Sequence, residues 1–239
     1  MKNIIILNLT RMGDLIQSTA LFKKIKLTYP ESHVKLLIST DFAEIAPFLP
    51  YVDEIKPIDV TGLSELLKAN NFDLTLEVLR ALDAMLDGIL QVNYDLAVNL
   101  SHDEFSVYFL YILNSLKNIG ISVTREGTII SNDEMIAYMF SAVKNRKVSV
   151  LNLVDIYERT VKTNRDKNKI HVSNIYLDTE KTYGVPKELD ALKKYGVEEN
   201  DTVISFAIGA STELKKWRYD YFADLAKMLL SGNSKIKVV

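Results

Sequence analysis

Residues 3–9, Asn3-Ile4-Ile5-Ile6-Leu7-Asn8-Leu9, form a continuous aliphatic and β-branched run that does not alternate with polar residues, and Thr10-Arg11-Met12-Gly13-Asp14 breaks it. A strand with one solvated face alternates apolar and polar side chains, so a run without alternation belongs to a strand buried on both faces, as in a parallel sheet covered by helices. Leu15 to Tyr29 then places Leu15, Ala20, Leu21, Ile25 and Leu27 near helical spacing before Pro30 ends the pattern. The opening therefore predicts strand, tight turn and helix, with the strand central in its sheet.

The pattern recurs along the chain. Strands are predicted at 34–38, 54–58, 95–100, 118–122 and 202–208, with helices at 42–49, 62–69, 105–116, 188–195 and 219–230. Residues 74–92 carry a helical apolar stripe interrupted only by Gly88, the stretch 133–161 reads as helical without clear strands, and 162–168 reads as a charged surface loop. Alternating β and α elements predict an α/β fold, with a Rossmann-like doubly wound parallel sheet over residues 1–175. Residues 176–239 are expected to hold a linker and the first β-α unit of a second Rossmann-like domain, the strand over 202–208 and the helix over 219–230, with a further strand beginning near 236. One strand and one helix cannot bury both faces of a sheet, so the expectation is a chain that stops inside a fold.

Bulk properties narrow the chemistry. With 239 residues, 48% of them hydrophobic, and a formal charge of -2, the chain can bury a core and has no field that would draw it to nucleic acid. It contains no cysteine, which excludes disulfides and thiolate metal sites, and His33, His102 and His171 lack metal-ligand spacing, which argues against zinc chemistry; no cofactor is expected. The first apolar run reaches Arg11 too soon for a signal peptide, and no window holds the roughly 18 uninterrupted apolar residues of a spanning helix. A cytoplasmic protein is expected, with membrane contact limited to a peripheral one.

Ligands of parallel α/β sheets gather beyond the carboxyl ends of strands, which directs attention to two loops. In the first, Gly13 is expected to let the backbone turn, Asp14 sits at a helix start, and Ser18 and Thr19 could offer hydroxyls to a sugar. A carboxylate there can take a proton from an attacking hydroxyl, and it can equally cap the helix or complement its dipole. The second loop, Gly209 to Arg218, sets Ser211 and Thr212 beside Lys215, Lys216 and Arg218 at a helix start, where amides and a lysine suit a pyrophosphate. Its bland alternative is a solvated turn with Trp217 in a core. Neither G-x-G-x-x-G nor the Walker pattern is present, which disfavours dinucleotide oxidoreductases and P-loop enzymes.

Taken in order, Arg11 to Thr19, Tyr29-Pro30, Tyr94 to Leu100, Asn152 to Tyr157, and Gly209-Ala210-Ser211 with Lys215-Lys216-Trp217 and Phe222 resemble the ADP-heptose:lipopolysaccharide heptosyltransferase family, glycosyltransferase family nine. The resemblance spans essentially the whole chain. It implies a GT-B architecture of two Rossmann-like domains, acceptor on the N-terminal side and nucleotide sugar on the C-terminal side, with metal-independent, inverting transfer. On that footing Asp14 matches the catalytic base, Lys215 holds the donor phosphates, and Ser211 contacts them. The implied partners are a nucleotide sugar, most naturally ADP-heptose, and a lipid-linked or glycan acceptor such as the lipopolysaccharide core, reached at the inner face of the cytoplasmic membrane. Ala20 and Arg218 stand where the family often has proline. The family's Asp-Thr-Gly-Pro-x-His type motif is absent from these residues, so the resemblance implies a donor domain cut short. Two other readings stay open: a non-catalytic relic or interaction module that has lost the donor site, and a nucleotide-sugar epimerase or synthase sharing only the fold.

Overall fold

β1 (Asn3–Asn8) is buried from Ile4 onward and pairs in parallel with β2 (His33–Ser39) on one side and β4 (Leu96–Asn99) on the other. With β3 (Glu54–Ile58) beyond β2 and β5 (Asn118–Ile119) beyond β4, the sheet has the parallel order β3-β2-β1-β4-β5. This computed structural model describes residues 1–62, 72–144, 150–162, 174–178, 192–198, 200–210, 213–232 and 235–239. Most of the helix expected over 62–69, the loop over 162–168 and the start of the helix over 188–195 lie outside them.

Successive residues of a strand face opposite sides of its sheet, and both sides of β1 are covered. Ile4 and Ile6 pack with Leu15 of α1 (Met12–Gln17), Phe22 and Ile25 of α2 (Thr19–Thr28), Ile136 of α5 (Glu134–Lys144) and Ile156 of α6 (Leu153–Thr160). Ile5 and Leu7 pack with Phe109 and Leu110 of α4 (Glu104–Ile112) and with Met85 of α3 (Phe72–Leu86). Each fully buried aliphatic side chain contributes on the order of 1.5–3 kcal/mol, which accounts for the unbroken apolar run.

Several boundaries differ from the sequence reading, each for a local reason. The single helix expected over 15–29 is two helices meeting at Ser18, whose hydroxyl donates to the Leu15 carbonyl at 2.7 Å. The stripe over 74–92 ends its helix at Leu86, because Gly88 adopts φ +73°, a left-handed conformation that closes helices. The strand expected over 118–122 is split by Gly120 at φ +127°, where an added Cβ would lie 2.3 Å from the Asn99 carbonyl oxygen. Beyond it, β6 (Ile121–Val123) pairs antiparallel with β7 (Ile129–Ser131), a hairpin the sequence reading missed. Residues 40–48 form a 3-10 run rather than a short α-helix.

The chain divides into two compact units, Met1–Lys181 and Thr182–Val239, where the sequence suggested a boundary at 175. In the second unit, β8 (Thr202–Ile204) and β9 (Ile236–Val238) pair in parallel, and α7 (Tyr219–Gly232) packs on β9. Phe222, Leu225, Ala226 and Leu229 form the half-buried face of α7, at the spacing read from the sequence. No helix among the described residues is long and apolar enough to cross a membrane.

Candidate active site

The chain leaves β1 toward β2 on one side of the sheet and leaves β4 toward β5 on the other, so the loops after β1 and β4 diverge and open a crevice at their carboxyl ends. A cavity of about 650 Å³ lies there. It is lined by Leu9, Thr10 and Arg11 after β1, Asp14 of α1, Leu100, His102 and Asp103 after β4, Met139 and Phe140 of α5, and Leu153 and Tyr157 of α6. That volume is the size of an ordinary small-molecule site.

Two buried asparagines shape the crevice. Asn8, fully buried at the end of β1, donates from Nδ2 to the Asp14 carbonyl at 3.3 Å and to Ser18 Oγ at 3.2 Å, and accepts from the Thr10 hydroxyl. Asn99, fully buried at the end of β4, donates to the Ile121 carbonyl at 3.0 Å and accepts from the Ser101 backbone N–H at 2.9 Å. Ser101 Oγ in turn accepts from the Leu9 N–H at 2.7 Å, which ties the two loops together. Buried amides of this kind hold a backbone in place because an unmet partner costs about 1–3 kcal/mol. Their sequence signal was a polar residue closing each buried apolar run, in Leu7-Asn8 and Val98-Asn99.

Asp14 stands half-buried in the first turn of α1 and borders the cavity. The helix N-cap is Arg11, without a side-chain cap, and among the described residues the Asp14 carboxylate has neither a hydrogen bond nor an ion pair. Capping therefore does not occupy it, and among the described residues nothing else engages its oxygens. Tyr157, 2% exposed on the wall formed by α6, has its phenol pushed above the usual range by burial and by the negative charge of Asp14. His102 meets Phe140 edge-on, with ring centroids 5.7 Å apart. Asp103 caps α4 by accepting from the Ser106 N–H at 2.9 Å.

The other residues singled out in the first loop take other roles. Ser18 is fully buried with its hydroxyl shared between Leu15 and Asn8. Thr19 is fully buried too, donating to the Ile16 carbonyl at 2.6 Å and accepting from the Tyr176 N–H at 2.9 Å. Both hydroxyls knit the fold instead of offering donors to a sugar, which corrects the sequence reading. Gly13 sits inside α1 without positive φ, so it does not make a sharp turn there, and a Cβ on it would find only Gln17 Nε2, 4.0 Å away.

In the second unit, Lys215 ends the 3-10 turn Glu213–Lys215 ahead of α7. Lys216 pairs with Glu213 at 2.5 Å and Arg218 with Asp220 at 2.5 Å, whereas Lys215 has no ion pair among the described residues. Trp217, 47% exposed, meets Phe222 edge-on with centroids 4.7 Å apart and so fastens this turn to α7. Ser211 and Thr212 lie outside the described residues. Among the described residues no group of three or more His, Asp or Glu side chains is placed to hold a metal ion.

No family model and no curated protein matches this sequence. Solved structures do match it: a family 9 glycosyltransferase from Veillonella parvula with TM-score 0.62 and 19% identity, covering 99% of this chain and 62% of that one. The E. coli heptosyltransferase WaaC with ADP matches with TM-score 0.63 and 11% identity, over 99% of this chain and 66% of its own. E. coli ADP-heptose lps heptosyltransferase II matches with TM-score 0.60 and 15% identity, over 100% of this chain and 63% of its own. The chain thus spans slightly under two thirds of the length of these proteins, and over that span it has the GT-B fold of the family 9 glycosyltransferases and heptosyltransferases.

Proposed function

We propose that this chain belongs to an inverting glycosyltransferase that moves a heptose or related sugar from a nucleotide sugar, ADP-heptose in the first instance, to a hydroxyl of a lipopolysaccharide-core or other surface-glycan acceptor. The observation that carries the reading is the Asp14 carboxylate, unpaired among the described residues, on the wall of a cavity at the topological switch point. In the reaction the acceptor oxygen forms a bond to the anomeric carbon, the bond from that carbon to the diphosphate breaks, and the acceptor proton passes to Asp14. A single displacement inverts the anomeric configuration. The departing nucleoside diphosphate gains negative charge, which Lys215, free of ion pairs among the described residues, is suited to offset, with Ser211 and Thr212 as further phosphate contacts. Solved neighbours with ADP and with ADP-2-deoxy-2-fluoro heptose support the donor class. Acceptor delivery at the inner face of the cytoplasmic membrane, by peripheral contact, fits a lipid-linked acceptor.

The test is transfer by the full-length gene product from ADP-heptose to deacylated lipopolysaccharide inner core, followed as ADP release and by NMR of the new anomeric centre. Transfer with inversion is expected. ADP release without a glycan product, or a product of retained configuration, contradicts the reading. A second reading, a non-catalytic binding or assembly module, draws on the second unit, where β8, β9 and α7 contain no buried residue. It predicts glycan or protein binding with no ADP release at all.

A further inference from the structure

α6 is capped by Asn152, whose side chain accepts from the Asp155 N–H at 2.9 Å, and its residues Leu153 and Tyr157, one turn apart on the same helix face, both line the cavity. Two tyrosines of this unit are each only 2% exposed, and they differ in what surrounds the hydroxyl. Tyr94 has a sealed hydroxyl with no partner among the described residues and does not line the cavity, packing among Ile5, Ile89 and Phe109. Tyr157 borders the cavity, and among the described residues its hydroxyl also has no hydrogen-bond partner. Unlike the sealed hydroxyl of Tyr94, that of Tyr157 can be met from the cavity, by water or by a ligand that accepts its proton.

Burial and the charge of Asp14 hold the Tyr157 phenol protonated, so it is a donor wherever the protein works. The Asp14 carboxylate, when ionised, only accepts. No hydrogen bond joins the two. Among the cavity's polar side chains, which also include Thr10, Arg11, His102 and Asp103, Asp14 supplies an acceptor and Tyr157 a donor as separate points, and Leu9, Leu100, Met139 and Phe140 supply apolar wall. A sugar ring matches that set: its C–H face rests on the wall, one hydroxyl donates to the carboxylate, and a neighbouring oxygen accepts from the phenol.

Given the transferase reading of Asp14, we propose that Tyr157 selects which acceptor hydroxyl reacts, by donating a hydrogen bond to the oxygen adjacent to the one that Asp14 deprotonates. A donor aimed at the attacking oxygen itself would tie up the lone pair that must reach the anomeric carbon, so the neighbouring oxygen is the productive partner. Losing a single buried hydrogen bond to the substrate weakens binding about 10-fold.

The experiment compares the full-length wild type with Tyr157→Phe, using ADP-heptose and deacylated lipopolysaccharide inner core, together with core analogues lacking one hydroxyl at a time. Tyr157→Phe is expected to raise the acceptor KM about 10-fold while leaving the donor KM unchanged, and to increase transfer to a second hydroxyl. One deoxy analogue should be equally poor with both proteins. Unchanged acceptor KM and regiochemistry, or a change in melting temperature alone, overturns the inference. A second readout needs no turnover: in protein carrying ζ-13C tyrosine, the signal missing from Tyr157→Phe should shift when the core oligosaccharide is added to Asp14→Asn protein. A shift without any transfer by the wild type would retire the transferase reading while keeping Tyr157 as a sugar contact, and no shift would retire Tyr157.

Discussion

The two loops that bear candidate chemistry are built in opposite ways. The crevice after β1 and β4 is fixed from below by Asn8 and Asn99, both fully buried, with Ser101 joining one loop to the other. The turn carrying Lys215 is an exposed 3-10 segment held to its helix by one half-exposed tryptophan. The difference is between a loop whose backbone is tied down at the Asp14 carbonyl and an exposed turn that carries a cation. Under the proposed function the first suits proton transfer, which needs a set geometry, and the second suits a phosphate, because a point charge needs little orientation. Substitutions in the first loop should therefore disturb stability and turnover together. Those in the second should change donor binding alone.

The largest expected effect is that of Asp14→Asn, which keeps shape and removes the proposed base. It should lower kcat by about 100-fold or more, near 2.7 kcal/mol of transition-state stabilisation, with donor KM nearly unchanged in steady-state assays. An unchanged rate would remove the carboxylate from the mechanism and erase the contrast. Asn8→Leu comes next, because it leaves the Asp14 carbonyl, Ser18 hydroxyl and Thr10 hydroxyl without their shared partner. Chemical denaturation should show a loss of about 2 kcal/mol, accompanied by a fall in kcat. Lost stability with full activity would mean that the tether does not position Asp14. Lys215→Ala should weaken donor binding about 10-fold by calorimetry with no change in melting temperature.

The smallest effect sharpens the comparison from within the first unit. Tyr94→Phe removes a buried hydroxyl that has no partner among the described residues, so it should stabilise the protein by about 1 kcal/mol in denaturant titration and leave kinetics alone. Destabilisation would point to a hydrogen bond formed by that hydroxyl.

What was legible in the sequence follows the range of the forces involved. Ile4 to Leu7 and Leu96 to Val98 announced central strands because burial on both faces imposes an unbroken apolar run. The α7 face was legible for the same reason at helical period. The break at Ser18 was not, since it depends on Asn8, a partner supplied by the tertiary fold. Gly120 read as part of a strand because its positive φ is demanded by the neighbouring Asn99 backbone, which no local pattern shows. At the site, Asp14 could be singled out from its loop. Met139, Phe140, Leu153 and Tyr157 could not be connected to it, because only the packing of α5 and α6 over the sheet brings residues so distant in sequence to one cavity. Ser18 and Thr19 were misassigned because a hydroxyl near a loop reads the same whether it faces a ligand or the fold.

The most direct measurement is a crystal structure of the full-length gene product with deacylated inner-core oligosaccharide bound. The account predicts the glycan in the crevice between the loops after β1 and β4, with one hydroxyl oxygen roughly 2.6–3.2 Å from an Asp14 carboxylate oxygen. A glycan bound elsewhere, or one in the crevice with Asp14 turned away from every hydroxyl, would contradict it.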